Sequence, residues 1–171
     1  MVDQLRAQGL QDFFIQCLQD LYIAEKKLIN CAAALSIAAF TEELQRALIA
    51  QSEEASLRVQ RLDIIFDSMN QQVGKGNCDI IEILSEKAAS IVKTVETGTA
   101  LRDAAIIYAV QLIAHYKIAS YGSLISLLAE LDYPKAKMLL KDCLAEEKAA
   151  DAYLTKIAVE FINPAAQSES G

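Results

Sequence analysis

Residues that form turns and loops are scarce in this sequence. Among its 171 residues there are two prolines, six glycines and no tryptophan. This scarcity argues against collagen-like chains, linker-rich chains and turn-rich all-β folds. Alanine and leucine, which lead the helix-propensity scale, are its most frequent residues. The composition therefore predicts a single soluble, helical domain, and the length is ample for one core.

Basic residues are also in short supply, and histidine is almost absent. Lysine and arginine number 16 against 23 aspartates and glutamates, so the net charge is −7. Because binding to phosphate backbones needs clustered basic residues, we expect no nucleic-acid partner. A single histidine and no C-x-x-C pair argue against a zinc site. No signal-peptide pattern is evident, so we expect a cytoplasmic protein with reduced thiols at Cys17, Cys31, Cys78 and Cys143.

One apolar stretch, residues 104–129, has the length of a membrane span. Gln111, His115 and Lys117 lie near its middle, and a central lysine costs about 2.5–3.5 kcal/mol on insertion scales. We therefore expect a buried helix and no membrane association. This helix, predicted over residues 100–131, is apolar nearly all round and should be covered on more than one side. We expect it to contribute to the interface of a homodimer.

Apolar residues recur every three or four positions through most of the chain, which predicts α-helices. Four long helices and a short one are expected, at residues 10–38, 42–67, 79–96, 100–131 and 134–162. Short loops within each pair of long helices predict two antiparallel hairpins, and the longer connection permits a crossover. The predicted fold is an all-α, ferritin-like four-helix bundle with a short extra helix between the hairpins. The predicted boundaries are an N-terminal segment at 1–9, the bundle at 10–162 and a disordered tail at 163–171.

Each long helix carries a polar interruption near the middle of its apolar stripe. The interruptions are Glu25, Gln51 with Glu54 beside it, Lys117, and Glu147 with Glu146 adjacent. Mid-helix positions of an antiparallel bundle lie at one height, so these side chains are expected to converge in the core. Buried charges are costly unless they are paired or bound to metal, which favours a functional site. The alternative is that one or more of the glutamates lies at the edge of its stripe and reaches water.

A dinuclear metal site in such a bundle uses one glutamate from each of two helices and Glu-x-x-His from the other two. Neither Glu54 nor Glu147 is followed three residues later by histidine. His115 lies two residues before Lys117, so it points about 200° away from it on the helix. We therefore expect His115 to be a structural or surface residue rather than a ligand.

Four segments of the chain together resemble the YciF-type ferritin-like family of bacterial stress-response proteins. The segments are LQDLYIAEKKL (18–28), RLDIIF (61–66), DAAIIYAVQLIAHYKIASYGSL (103–124) and LAEEKAADAYLTKIA (144–158). The resemblance covers residues 10–160. It implies a ferritin-like bundle with an added short helix, homodimerisation and, as in several members, a dinuclear metal site.

The same resemblance assigns metal-ligand roles to three glutamates, Glu25, Glu54 and Glu147. Other positions depart from the family's pattern. Gln51 stands where the family usually has histidine, and Ala55 stands where it has threonine. Two glutamates of the family's fourth helix are replaced by Ala114 and Lys117. These departures weaken the expectation of a metal site.

Lys117 is the residue that separates the two functions we consider. In the first, the protein is non-enzymatic, associated with stress and without a cofactor, and Lys117 replaces the metal cation among the carboxylates. One lysine offsets one negative charge, and a shared proton or water would offset the rest. The expected core charge cluster comprises Glu25, Gln51, Glu54, Lys117, Tyr121 and Glu147.

The second function retains the metals. In it, the chain is a ferritin-like oxidase or peroxidase with two iron or manganese ions held by Glu25, Glu54 and Glu147. The tyrosines near the site, Tyr22, Tyr116 and Tyr121, would then be redox-active. Without metal they are expected to donate hydrogen bonds to the carboxylates, as we expect for Tyr121.

Overall fold

The computed structural model describes residues 9–74 and 76–169. This part of the chain contains helices and no strand, which confirms the all-α prediction. The elements are α1 (Leu10–Ala38), α2 (Glu42–Ser68), α3 (Asp79–Thr94), α4 (Ala100–Leu127), α5 (Pro134–Ile157), a π-helical turn (Ala158–Ile162) and α6 (Asn163–Glu169). The starts of the helices agree with the sequence pattern, whereas α4 ends at Leu127 rather than at residue 131.

The four long helices pair as two hairpins, α1 with α2 and α4 with α5. The hairpins meet where α1 packs on α4 and α2 packs on α5, so the bundle has the predicted ferritin-like arrangement. The short helix α3 lies in the crossover and packs against α1 and α4. It buries Ile81 and Ala88 on its inner face. None of the helices in residues 9–74 and 76–169 is long and apolar enough to cross a membrane.

The apolar core is divided along the bundle axis. One cluster of buried side chains surrounds Phe14, Leu62 and Phe66, and another surrounds Leu35, Leu48 and Leu154. A third, smaller cluster lies where α3 packs against α1 and α4. On every long helix, the residues between the first two clusters include a charged or polar side chain. The charged layer of the site therefore lies between two apolar layers, which shield it from water at both ends.

A buried aspartate ties the second hairpin to the turn of the first. Asp103, in the first turn of α4, accepts hydrogen bonds from the backbone N–H groups of Phe40 and Thr41 at 2.7 and 2.8 Å. It also accepts one from the Thr41 hydroxyl at 2.7 Å. Thr41 is the residue before α2, but its side chain makes no hydrogen bond to the start of that helix. The carboxylate of Asp103 thus fixes the entry into α2 from another helix.

The C-terminal tail is helical, so the predicted disorder at 163–171 is wrong for residues 163–169. The π-helical turn, closed by a hydrogen bond from the Asn163 N–H to the Ala158 carbonyl, lets the chain continue past Pro164. Pro164 then lies in the first turn of α6, where its missing N–H is not needed. The Glu169 carboxylate accepts hydrogen bonds from the backbone N–H groups at the start of α4, at 2.7 and 3.1 Å. Residues 170–171 and 1–8 of the predicted terminal segments lie outside the described residues.

We predict that Asp103→Asn lowers the free energy of unfolding by about 2 kcal/mol, because one of the two carboxylate oxygens becomes an amide nitrogen and can no longer accept the hydrogen bond from Phe40 or from Thr41. Urea unfolding measures the loss. Asp142→Asn, an exposed aspartate on α5, is the matched control and should leave the stability unchanged. Equal stabilities of the two variants would show that Asp103 does not hold the turn.

Candidate functional site

Five buried polar side chains meet in the charged layer between the two apolar clusters. They come from all four long helices: Glu25 on α1, Arg58 on α2, Lys117 and Tyr121 on α4, and Glu147 on α5. Their exposed fractions do not exceed 5%, the value for Lys117. Each lies on the apolar stripe of its helix, so the packing that buries the stripe also buries the charge.

Glu25 is the acceptor at the centre of the layer. Its Oε1 accepts hydrogen bonds from Arg58 Nε at 3.1 Å and from the Tyr121 hydroxyl at 2.8 Å. Its Oε2 lies 3.6 Å from the Lys117 ammonium, which is an ionic contact rather than a hydrogen bond. A carboxylate of α1 is thereby linked to α2 and twice to α4.

Glu147 supplies the second buried carboxylate. Its Oε2 accepts a hydrogen bond from Lys117 Nζ at 2.7 Å and lies 3.4 Å from Arg58 Nη2. Both cations therefore contact both carboxylates, and the four charges alternate in sign. Two carboxylates and two cations give the buried layer no net charge. The deficit of positive charge that the sequence led us to expect does not arise.

Arg58 is the member of the layer that the sequence reasoning overlooked. Arg58 follows the helical spacing of the buried residues Leu48, Ala55 and Leu62, so it lies on the buried face of α2. This spacing is the feature of the sequence that indicates a buried arginine. Arginine usually extends its head group to solvent, which is why a stripe position alone did not identify it. In the folded chain, its head group turns inward and stays 1% exposed.

The charges around Arg58 and Tyr121 determine how these two groups ionise. Burial alone would lower the pKa of the Arg58 guanidinium, but the Glu25 and Glu147 carboxylates outweigh it and raise that pKa above its ordinary value. Burial, followed by the charge of Glu25, raises the pKa of Tyr121 well above its usual range. Tyr121 therefore remains a neutral hydroxyl donor and Arg58 a fixed cation.

Glu54 lies at the rim of the layer rather than inside it. Its side chain is 40% exposed, and its Oε2 is 3.5 Å from Arg58 Nη1. Glu146 occupies the matching place on α5, where it accepts a hydrogen bond from Arg61 at 2.7 Å. The edge position foreseen as an alternative therefore applies to Glu54. Gln51, which was also predicted for the cluster, lies one helical turn before Glu54 on α2 and is half-buried.

Other candidate side chains lie outside the layer. His115 is 68% exposed and faces Asp151 on α5 at 3.2 Å, as expected for a surface residue. The Tyr116 hydroxyl shares a hydrogen bond with Cys78 at 3.1 Å, on the side of α4 covered by α3. All four cysteines are free thiols.

The donor set of the layer does not fit a dinuclear metal centre. Metal ions of this kind need carboxylate and imidazole lone pairs that converge on one point. Within residues 9–74 and 76–169, no three histidine, cysteine, aspartate or glutamate side chains are grouped in this way. The space between Glu25 and Glu147 instead holds the Arg58 guanidinium and the Lys117 ammonium. These two cations of the protein would repel a metal ion placed between the carboxylates.

Known proteins share both the sequence and the fold. Residues 9–167 match a domain of unknown function, DUF892. Protein YciF of Escherichia coli K12 is 39% identical over 167 residues, which are 97% of this chain and all of that protein.

Solved structures extend the likeness to the fold. The crystal structure of the E. coli stress protein YciF gives a TM-score of 0.88 at 39% identity and covers 92% of this chain and 99% of that one. The structure of YcfI from Rhodopseudomonas palustris gives a TM-score of 0.85 at 30% identity, and the match covers 89% of this chain and 96% of that one. A protein from Xanthomonas campestris is 17% identical and shares the fold. Its structure gives a TM-score of 0.74, and the match covers 95% of this chain and all of that one.

Removing the Lys117 ammonium tests how much the stability of the protein depends on balanced charges in the buried layer. We predict that Lys117→Met lowers the free energy of unfolding by about 3–5 kcal/mol, because it leaves a buried carboxylate uncompensated. Adding Glu147→Gln removes that carboxylate, leaves the Glu25–Arg58 pair, and should recover most of the loss. Urea unfolding at neutral pH measures both variants.

A surface ion pair gives the control for this experiment. Arg46 and Glu42 form a pair whose side chains are 78% and 81% exposed, so Arg46→Met should cost far less than Lys117→Met. A Lys117→Met variant as stable as the parent would contradict the charge balance.

Proposed function

The chain belongs to the DUF892 family, and from this premise we propose that it is a non-enzymatic, ferritin-like protein of the YciF type with a structural role in stress. The E. coli relative is named a stress protein, and the R. palustris relative is described as a candidate structural protein. Both likenesses extend over about nine-tenths of this chain. In this proposal the ion cluster replaces the di-metal centre, and no cofactor takes part.

The observation that carries the proposal is the pair of cations between Glu25 and Glu147. A metal ion at that position would have to displace the Arg58 guanidinium and the Lys117 ammonium from carboxylates they already neutralise. The displaced cations would then stay buried next to the metal charge, which is strongly unfavourable. The alternative function, with two iron or manganese ions on Glu25, Glu54 and Glu147, requires this rearrangement.

We predict that the purified protein does not gain stability from Mn²⁺ or Fe²⁺. Ligands that bind the folded state alone raise the melting temperature, so a chain without a metal site should melt at the same temperature with metal and with chelator. Elemental analysis after growth in iron- and manganese-supplemented medium gives the second readout. A stoichiometric transition metal, released by chelator with a fall in melting temperature, would favour the metal-dependent alternative.

Removing both cations should convert the layer into a metal-binding site. We predict that Arg58→Gln combined with Lys117→Glu raises the melting temperature on addition of Mn²⁺, because three buried carboxylates then lack a counter-charge. Arg58→Gln with Lys117→Gln is the matched control, since it removes the same cations without adding a carboxylate. If neither double variant responds to Mn²⁺ although both fold, the cations do not stand in for metal.

We also propose that the protein is a cytoplasmic homodimer in which α4 contributes to the interface. The outward face of α4 presents Leu101, Tyr108 and Leu112, which are 52%, 58% and 38% exposed. Their spacing of seven and four residues places them on one side of the helix. An apolar stripe on the helix that is already the most buried of the bundle favours a second copy as its cover.

Tyr108→Glu is predicted to shift the protein towards monomer, because it places a charge in the middle of this stripe. Light scattering after size exclusion, over a range of protein concentrations, measures the molar mass. Ile83→Glu, an exposed isoleucine on α3, is the control and should leave the mass unchanged. A dimer that survives Tyr108→Glu would place the interface elsewhere.

A further inference from the structure

A small cavity lies beside the ion cluster, inside the bundle. Its volume is about 20 Å³, and its walls include Leu28, Ala32, Gln51, Ala114, Lys117 and Glu147. The two alanines leave the space, and the three polar residues face it from α2, α4 and α5. A space of about 10–15 Å³ is enough for one water molecule if two or more polar groups can bind it.

The polar groups at this cavity have unused hydrogen-bonding capacity. The Lys117 ammonium has three N–H donors and, within the described part of the chain, makes one hydrogen bond, to Glu147 at 2.7 Å. Glu25 does not line the cavity, and its nearest oxygen is 3.6 Å from the ammonium, beyond hydrogen-bonding distance. Buried polar groups in folded proteins nearly always find a partner, either in the protein or in an ordered water.

We propose that this cavity is a binding site for a single water molecule, which accepts a hydrogen bond from Lys117 and donates to oxygens of Gln51 and Glu147. Lys117 then has a second hydrogen bond, and the side-chain amide of Gln51 has a partner. Water-mediated contacts of this kind are nearly as favourable as direct hydrogen bonds. The water is part of the cluster and links α2 to the charges on α4 and α5.

Gln51 also determines how the water exchanges with solvent. Its side chain lines the cavity on one side and, on the other, an open groove of about 330 Å³ between α2 and α5. The groove has alanine walls at Ala47, Ala50 and Ala149 and the carboxylate of Glu54 at its rim. Cys31 and Leu35 border the cavity and also a second open groove of about 610 Å³ between α1 and α3, but both are poorer hydrogen-bonding partners than Gln51. Gln51 is therefore the polar gate between groove and cavity.

The proposed metal-free function does not depend on this water. Arg58 and Lys117 neutralise Glu25 and Glu147 without it, so metal analysis can support that function whether or not the water is found. Conversely, a bound water would be detected by its exchange rate and not by any metal response. The two proposals therefore fail in different experiments.

Magnetic relaxation dispersion of ¹⁷O in water counts long-lived internal waters, and it is the direct test. Ala114→Val fills the cavity and should remove one such water relative to the parent. Ala119→Val, at an exposed position on the same helix, is the matched control and should remove none. Equal dispersion amplitudes for parent and Ala114→Val would overturn the proposal.

Two milder variants keep the test decisive if Ala114→Val does not fold. Ala114→Ser places a hydroxyl near the site of the water and should also remove one long-lived water. Gln51→Ala should shorten its residence time, whereas Gln60→Ala, at an exposed position on α2, should not. A residence time that is the same in Gln51→Ala and the parent would contradict the role of Gln51 as the gate.

Discussion

The contact on which the rest of the structure depends is the one between the Arg58 guanidinium and the two buried carboxylates. Arg58 lies 3.1 Å from Glu25 on α1 and 3.4 Å from Glu147 on α5. Lys117 contacts the same two carboxylates from α4. Ionic groups can stay in an apolar bundle only when they are paired and hydrogen-bonded. The position of each of the four helices along the bundle axis is therefore fixed by the need to keep its charged side chain in the layer. Sliding one helix by a turn would leave at least one charge without a partner.

This requirement explains how the rest of the bundle is arranged. The apolar clusters on both sides of the charged layer keep bulk solvent away from its two ends and strengthen the ionic contacts. At the far end, Asp103 fixes the start of α2 and Glu169 fixes the start of α4, so the helix ends are satisfied by side chains from other elements. A charged layer of this kind contributes little net stability compared with apolar packing. Its effect is to select one register of the helices, which is consistent with the structural role that we propose.

The sequence predicts most of this fold because helical periodicity is long and regular. It also brings Glu25, Lys117 and Glu147 together, since mid-stripe positions in antiparallel helices share a height. It does not predict which long side chains bend inward. Glu54 and Arg58 lie four residues apart on α2, yet the carboxylate reaches the rim and the guanidinium reaches the core. That choice depends on the partners offered by α1 and α5. The sequence does not predict the helical tail, because Pro164 normally ends a helix and here a π-helical turn before it lets the helix continue.

The central claim is that cations of the protein, not metal ions, hold the two buried carboxylates. A crystal structure with anomalous diffraction data at the iron and manganese edges tests it most directly, using protein purified from metal-supplemented medium. We predict ordered density for the Arg58 guanidinium and the Lys117 ammonium between Glu25 and Glu147, and no anomalous peak there. An anomalous peak within coordination distance of both carboxylates, with Arg58 turned away, would contradict the account.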